Sequence, residues 1–538
     1  MLERKVFYGG SILTMKDSQP MVEAVAVEGE KIVAIGKFEV IEKFFKDDFD
    51  IINLEGNALL PGFIDSHLHP ILYLFFLINL DLSNVKSLKE LGQILKDVAK
   101  TKSKDEMILG LSLKEEDFKD PKERVLPTRW VLDKMCPDHP VFLLRYDGHI
   151  GILNSKALEL IGIDSNTESP EGGEIRKNEK GEPTGILSEL ALSPVFSKIT
   201  LPEPKDIKET ASKCFKSLAA KGLTSLHGVI ELDKGGESGD LGGIEIPILK
   251  SIKDNVLQNW YSLVYTQTPK KLRRLKKTPL DDGEKDGKFK VNAIKLWADG
   301  SFGAATAFMF KPFTDQPDKT GFLVLNEEKF YEIMKDAHNL GYQICIHAIG
   351  DRANRIIVDL YKRLLKEFPK SDHRYRIEHA SILTPDIIKD MSELGLIASC
   401  QPPFINSEYK WLSKRIGEER CRHTYPMKSI IDAGIIFAAG SDCPIEDPDV
   451  ILGLHALVNR NGFIPEECIS MEDALKAYTI NGAYAAFEED IKGSIEPGKL
   501  ADFVILDKNP IEVAKEKIKK IKVLETIIRG KTVFKRNN

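Results

Sequence analysis

Short apolar runs alternate with amphipathic stretches through most of the chain, the pattern of strands followed by helices in parallel β/α units. Eight strand-like runs stand out: ALLPGFIDSH (58–67), LTSLHGV (223–229), WYSLVYT (260–266), VNAIKLWAD (291–299), YQICIH (342–347), YRIEHA (375–380), LIASCQP (396–402) and IIFAAGSD (435–442). EKFYEIMKDAHNLG (328–341) is one intervening helix, closed by a glycine stop. Eight such strands close naturally as an α/β TIM barrel, (β/α)8, whose loops at the strands' C-terminal ends form the site. The chain's two ends differ: AVAVEGEKIVAIG (24–36), ADFVILD (501–507) and VLETIIRGKTVFKRN (523–537) are short strands around turns. Residues 1–57 and 488–538 are therefore expected to share a small β-sandwich domain, with the barrel in 58–82 and 203–487. The gap from Ser83 to Pro202, 120 residues, is too long for one helix and predicts an inserted lid-like subdomain (83–202) after strand 1. Inside it, GGEIRKNEKGEPTG (172–185) reads as a hairpin and LNSKALELIGI (153–163) as a short amphipathic helix.

Composition narrows the partners. The 538 residues carry 76 Lys+Arg against 82 Asp+Glu, a net charge of −6, so no basic field draws nucleic acid or anionic lipid. Apolar residues make up 42%, enough for a sizeable core. Seven cysteines, with no C-x-x-C pair, suit a reducing cytoplasm. The longest apolar run, Ile71 to Ile78, has eight residues against roughly 18 for a membrane span. MLERKVFYGG has charges where a secretory leader would turn apolar. A cytoplasmic protein acting on a small-molecule substrate is expected, with no nucleic-acid or membrane partner. A homodimer is compatible with the small β domain and the insertion.

His67 and His69 end the first strand-like run. On a strand, positions i and i+2 face the same way, so both imidazoles would project together at the barrel mouth, as a divalent transition metal requires. His347, His379 and Asp442 end strands 5, 6 and 8, so four imidazoles and a carboxylate would meet at one end of the barrel. Lys295 lies four residues before Asp299 on strand 4, at a depth where its side chain would enter the barrel. An ammonium there would repel a cation, and desolvation lowers its pKa from about 10.4. The neutral amine can add carbon dioxide, giving an anionic carbamate able to bridge two metals; the other reading is a lysine that turns outward or pairs with Asp299.

LLPGFIDSHLHP, the strand-4 lysine, the two single histidines, GSDCPIEDP and GSIEPGKLADFVILD together resemble the amidohydrolase superfamily of metal hydrolases. DGHIGILNSKALELIGI, EKGEPTGIL, KLWADGSFGAATA and HAIGDRAN resemble its amidohydrolase 3 branch, which includes N-substituted formamide deformylases. The resemblance spans nearly the whole chain. It implies that His67 and His69 bind one metal, His347 and His379 the other, that a carbamylated Lys295 bridges them, and that Asp442 completes the first and shuttles the proton. Zn2+, as one ion or two, suits such mixed nitrogen and oxygen ligands. The implied reaction is hydrolysis of an amide-type C–N bond in an amide, formamide or cyclic amide. Water's pKa falls toward about 7 beside the metal, and Asp442 passes its proton to the departing nitrogen.

His149 follows the strand-like VFLLRY and reaches the mouth if the insertion folds over it; Trp297, Asp299, Arg352 and Gln401 flank strands 4, 5 and 7. These five are candidate substrate contacts, each with an alternative role in orienting a ligand or capping a helix. His227, ending strand 2, is a similar candidate. Deamination of an aminated ring is the competing chemistry; deaminases of this scaffold place Glu three residues after the strand-5 histidine, where this chain has Gly350. A non-catalytic metal-binding protein is the third reading. H-E-x-x-H, G-x-S-x-G and phosphate-loop motifs are absent.

Overall fold

The computed structural model describes residues 3–45, 49–146, 148–170, 173–196, 198–199, 203–233, 242–283 and 287–537. Asp147 and Gly172 of the motifs above, and the insertion's last residue, Pro202, lie outside these residues. Eight strands form one parallel sheet in chain order: β1 Phe63–Leu68, β2 Leu223–Glu231, β3 Asn259–Tyr265, β4 Phe289–Trp297, β5 Gln343–Ala348, β6 Arg376–His379, β7 Ile397–Cys400 and β8 Phe437–Ala439. Both faces of a parallel barrel sheet are covered, so all nine residues of β2 are buried.

The sheet curls until its ends meet, forming a nearly closed barrel. At the seam the Asp442 N–H donates to the His67 carbonyl and the His69 N–H to that of Cys443, both at 2.7 Å. Asp65 Oδ1 takes the N–H groups of His67 (3.1 Å) and Ser441 (3.0 Å). The seam thus fixes three of the candidate metal residues through backbone bonds. Gly440 permits this approach, since a Cβ there would stand 2.6 Å from the His67 nitrogen.

The first apolar run proves to be two strands rather than one. Ala58–Pro61 pairs with Ser11 and Ile12 on one side and with Phe503–Leu506 on the other. Only after Gly62, where a Cβ would lie 2.2 Å from the Thr224 side chain, does the chain enter the barrel as β1. The two ends of the chain build one eight-stranded sheet, from Arg4–Leu13, Met21–Glu28, Lys31–Gly36, Asp50–Asn53, Ala58–Pro61, Phe503–Leu506, Val523–Ile528 and Lys531–Lys535. It bends back on itself: Lys31 bridges to Leu500, and the Phe7 ring meets that of Phe503 at 5.7 Å.

The long segment after β1 carries its own six-stranded sheet. Its strand Val141–Arg145 shows the two-residue period in packing, with Phe142 and Leu144 in one apolar cluster and Val141 and Leu143 in another. The hairpin pairs Gly173–Lys177 with Pro183–Glu189. The short helix spans Ser155–Ile161, capped by Asn154 and stopped by left-handed Gly162. The ILYLFFLI run is the helix Pro70–Ile78. Among the described residues no helix is long and apolar enough to cross a membrane. All seven cysteines are free thiols.

Candidate metal centre

His67 lies within β1 and His69 just beyond it, and both Nε2 atoms face one carboxylate oxygen: Asp442 Oδ1 is 3.4 Å from His67 and 3.2 Å from His69. Among the described residues these three form the one His/Cys/Asp/Glu group whose donor atoms all lie within 4.8 Å of one another. Beside it the His379 ring lies 5.1 Å from that of His67 and 4.3 Å from that of His347. Lys295, fully buried in β4, brings Nζ to 3.3 Å from His67 Nε2. His379 and Asp442 both hold left-handed backbones, φ 67° and 62°, which non-glycine residues adopt rarely and mostly where surrounding structure enforces it.

The imidazole nitrogens are sorted by their outer contacts. Glu378 Oε2 lies 2.5 Å from His67 Nδ1. A carboxylate there fixes the proton on Nδ1 and leaves the Nε2 lone pair facing Asp442 and Lys295. Glu378 is itself held by Arg376: Nη2 donates to Oε2 at 3.0 Å, while Nε lies 2.7 Å from Oε1 at an angle too oblique for a hydrogen bond. His347 Nε2 lies 3.3 Å from the Gly300 carbonyl and 3.5 Å from Asp299 Oδ1, so with its proton there Nδ1 is the ligand-capable atom. Burial, reinforced by Lys295 or by neighbouring imidazoles, holds His67, His347 and His379 well below the usual histidine range, so they are neutral.

His379 Nδ1 is buried without a hydrogen-bond partner among the described residues. An orphaned imidazole nitrogen beside neutral imidazoles and a carboxylate belongs to a donor set that fits a divalent cation. Residues 50–534 match the model of the amidohydrolase family. The chain belongs to this family. It is 30% identical to the putative amidohydrolase YtcJ of Bacillus subtilis, covering 99% of this chain and all of that one. The N-substituted formamide deformylase of Arthrobacter pascens is 25% identical, over 98% of this chain and 97% of that protein. Among solved structures, a metal-dependent hydrolase of Pyrococcus horikoshii superposes with a TM-score of 0.74 at 28% identity, over 96% and 99% of the two chains. Amidohydrolases are thus its kin in sequence and in fold.

The substrate candidates fall into two groups. His149 and Trp297 line a cleft shared with His69, His347, His379 and Asp442. Trp297 is propped by Tyr265, with ring centroids 4.4 Å apart. Asp299 also borders this region, but its oxygens accept the N–H groups of Phe308, Ile349 and Gly350 at 2.8–3.0 Å, bracing the start of the helix Asp351–Glu367. Burial outweighs those bonds and pushes Asp299 up to about 7. Arg352 and Gln401 do not line this cleft: the exposed Arg352 guanidinium lies over Phe308, and buried Gln401 donates to the Ser399 carbonyl. His227 is buried against Arg376, which lies 3.1 Å away. A larger, open cleft lies beyond Ile445 and touches none of the imidazoles.

Sequence reasoning passed over Arg376 and Glu378. Their signal was present in YRIEHA, since two charged residues at i and i+2 on an otherwise apolar strand share one face. Glu189, whose carboxylate lies 2.9 Å from His149 Nδ1, was passed over as well.

Proposed function

We propose that this amidohydrolase cleaves a non-peptide C–N bond of a small amide, formamide or cyclic amide, using zinc held by His67, His69, His347, His379, Asp442 and a carbamylated Lys295. The observation that carries the reading is Asp442 Oδ1 within 3.4 Å of both β1 imidazoles, which puts a proton acceptor among the metal-capable donors. One or two zinc ions held there would lower the pKa of water and polarise the substrate carbonyl. Asp442 takes the proton of the attacking water and returns it to the departing amine nitrogen, which is otherwise too basic to leave. Lys295 in its neutral form adds carbon dioxide, forming one N–C bond and releasing one proton, which replaces a cation among the imidazoles by an anion. Trp297 walls the cavity and excludes water from one side. The deformylase relative and the Pyrococcus hydrolase support this reading. Gly350 favours it over ring deamination, because a Cβ at that position would meet the Phe308 carbonyl at 2.0 Å.

In this reading residues 83–202 act as a lid over the barrel of 63–82 and 203–487. Residues 1–61 and 488–538 fold as a sandwich, supported by the Phe7–Phe503 and Lys31–Leu500 contacts. The free cysteines suit a reducing cytoplasm. The test is a panel of N-formyl, N-acyl and cyclic amides offered to zinc-loaded protein. Release of an amine and a carboxylic acid supports the proposal. Ammonia release from an aminated ring would replace it with deamination, and no turnover of any amide at full metal content would favour a non-catalytic metal protein.

A further inference from the structure

The metal cleft continues into a second pocket on the β3–β4 side of the barrel, and the walls of that pocket are apolar. Tyr265 ends β3 and Trp297 ends β4, with ring centroids 4.4 Å apart. Val324 returns to them at the far end of the loop after β4, where its N–H donates to the Ala298 carbonyl at 2.8 Å. Leu190 and Leu192 come from the insertion, and these five side chains line the pocket. Leu192, Tyr265 and Trp297 are buried. The two carboxylates at its border are engaged: Asp299 accepts three backbone N–H groups, and Glu189 Oε1 takes the Thr306 hydroxyl at 2.6 Å. Glu189 holds φ 52°, ψ −131° at the turn into Leu190–Leu192, a conformation maintained only where its surroundings demand it, so the bond to Thr306 fixes this wall of the insertion against the loop.

The other sides of the metal cleft differ. Toward β6 and β7 it is lined by Ser381, Glu408 and Tyr425, which suit polar atoms. Past Ile445, after β8, the space widens into the open cleft, whose rim holds Leu77, 44% exposed, and the exposed Asp81 and Asp447. With eight strands in chain order around the barrel, β4 and β8 stand opposite each other. Asp442 follows β8 and returns the proton to the departing nitrogen in the reading above. The nitrogen therefore lies on the β8 side, and the acyl group points across the barrel toward β4.

We propose that the pocket walled by Leu190, Leu192, Tyr265, Trp297 and Val324 holds the acyl side chain of the substrate, an arene or a branched alkyl group, while the nitrogen substituent runs past Ile445 into the open cleft. This rests on the amide reading and names its substrate class: amides of apolar carboxylic acids rather than formamides. A formyl group has no side chain and leaves the pocket unfilled. Full burial of a phenyl-sized group is worth about 10- to 100-fold, whereas a group in the open cleft stays partly in water and gains less.

The test uses two isomers that reverse the amide: N-methyl-2-phenylacetamide carries its ring on the acyl side and N-benzylacetamide on nitrogen. N-Methylacetamide, which lacks the ring, is the reference for both. Turnover is measured on the zinc-loaded chain, and binding by calorimetry on zinc-loaded Asp442→Asn protein. Relative to the reference, the acyl ring should raise affinity and kcat/KM about 10- to 100-fold, and the nitrogen ring less than about fivefold. Val324→Phe fills the pocket from a half-buried position and should cut the acyl-ring gain to under about threefold at unchanged metal content. Leu190→Ala, which opens a wall at another half-buried position, should reduce the same gain. Equal gains from the two rings, or a larger gain from the nitrogen ring, overturn the proposal and leave the amide reading standing. An acyl-ring gain that survives both changes in folded, fully metallated protein overturns it as well, and so does failure of both ring compounds to bind. Tighter binding of N-methyl-2-phenylacetamide without turnover of any amide would leave the pocket's assignment standing and refute the hydrolytic reading alone.

Discussion

Replacing Glu378 by Gln tests whether the barrel interior presets the metal-facing nitrogen of His67. Arg376 carries only donors, and it is fully buried with contacts to Glu378, the Ser66 carbonyl (2.6 Å), Ser399 Oγ (2.9 Å) and His227 Nδ1 (3.1 Å). Glu378 Oε2 both faces His67 Nδ1 at 2.5 Å and accepts from Arg376 Nη2, while Oε1 faces Arg376 Nε, so either orientation of the introduced amide sets its NH2 against an Arg376 donor and removes the charge that holds the Nδ1 proton. Without that carboxylate the proton is no longer fixed on Nδ1, and rings that carry it on Nε2 cannot ligate there. Removing such an orienting partner costs about 10–100-fold in metal affinity, or about 1.4–2.7 kcal/mol. Breaking a buried ion pair costs about 3–5 kcal/mol of stability, and the three remaining Arg376 contacts place this change at the lower end. Metal affinity is read by competition with a chromophoric chelator, and stability by urea titration of the metal-free protein. Unchanged affinity in a folded Glu378→Gln variant would refute the tautomer argument.

Asp442→Asn should reduce amide turnover about 10²- to 10⁴-fold at equal metal content, with a smaller effect on substrate binding. Wild-type turnover would remove Asp442 from proton transfer. Gly440→Ala should destabilise by about 1–3 kcal/mol through forced repacking at the β1–β8 seam, lowering the urea midpoint; an unchanged midpoint would mean the seam has slack. His455, in the helix Val450–Asn459, is held down to about 4 by burial. Its neutral form contributes stability that is fully present above pH 6.5 and is lost as pH falls from 6.5 through about 4. His455→Gln should flatten that part of the stability profile, and an identical profile would assign the acid loss to other groups.

The barrel strands were legible because parallel strands buried on both faces must be apolar almost throughout, and each run ends where a loop begins. The one misreading, at 58–67, has a physical cause. Ala58–Pro61 and Phe63–Leu68 are both apolar, and what separates them is distant: Ser11 and Val504 claim the first half, Thr224 crowds Gly62, and Leu223 claims the second. The imidazoles and Asp442 were legible as polar residues where apolar runs stop. Arg376 and Glu378 were passed over although their charges stand two residues apart on an apolar strand, because what they do depends on His67, some 310 residues away in sequence. Glu189 is a related case: its partners His149 and Thr306 are 40 and 117 residues distant.

The central claim is that His67, His69, His347, His379, Lys295 and Asp442 form one metal centre, and its most direct test is the equilibrium metal content of the purified chain beside that of His67→Ala and His347→Ala. The account predicts one or two ions per wild-type chain and loss of metal from each variant, with the barrel still folded. Full metal retention in both folded variants would contradict it.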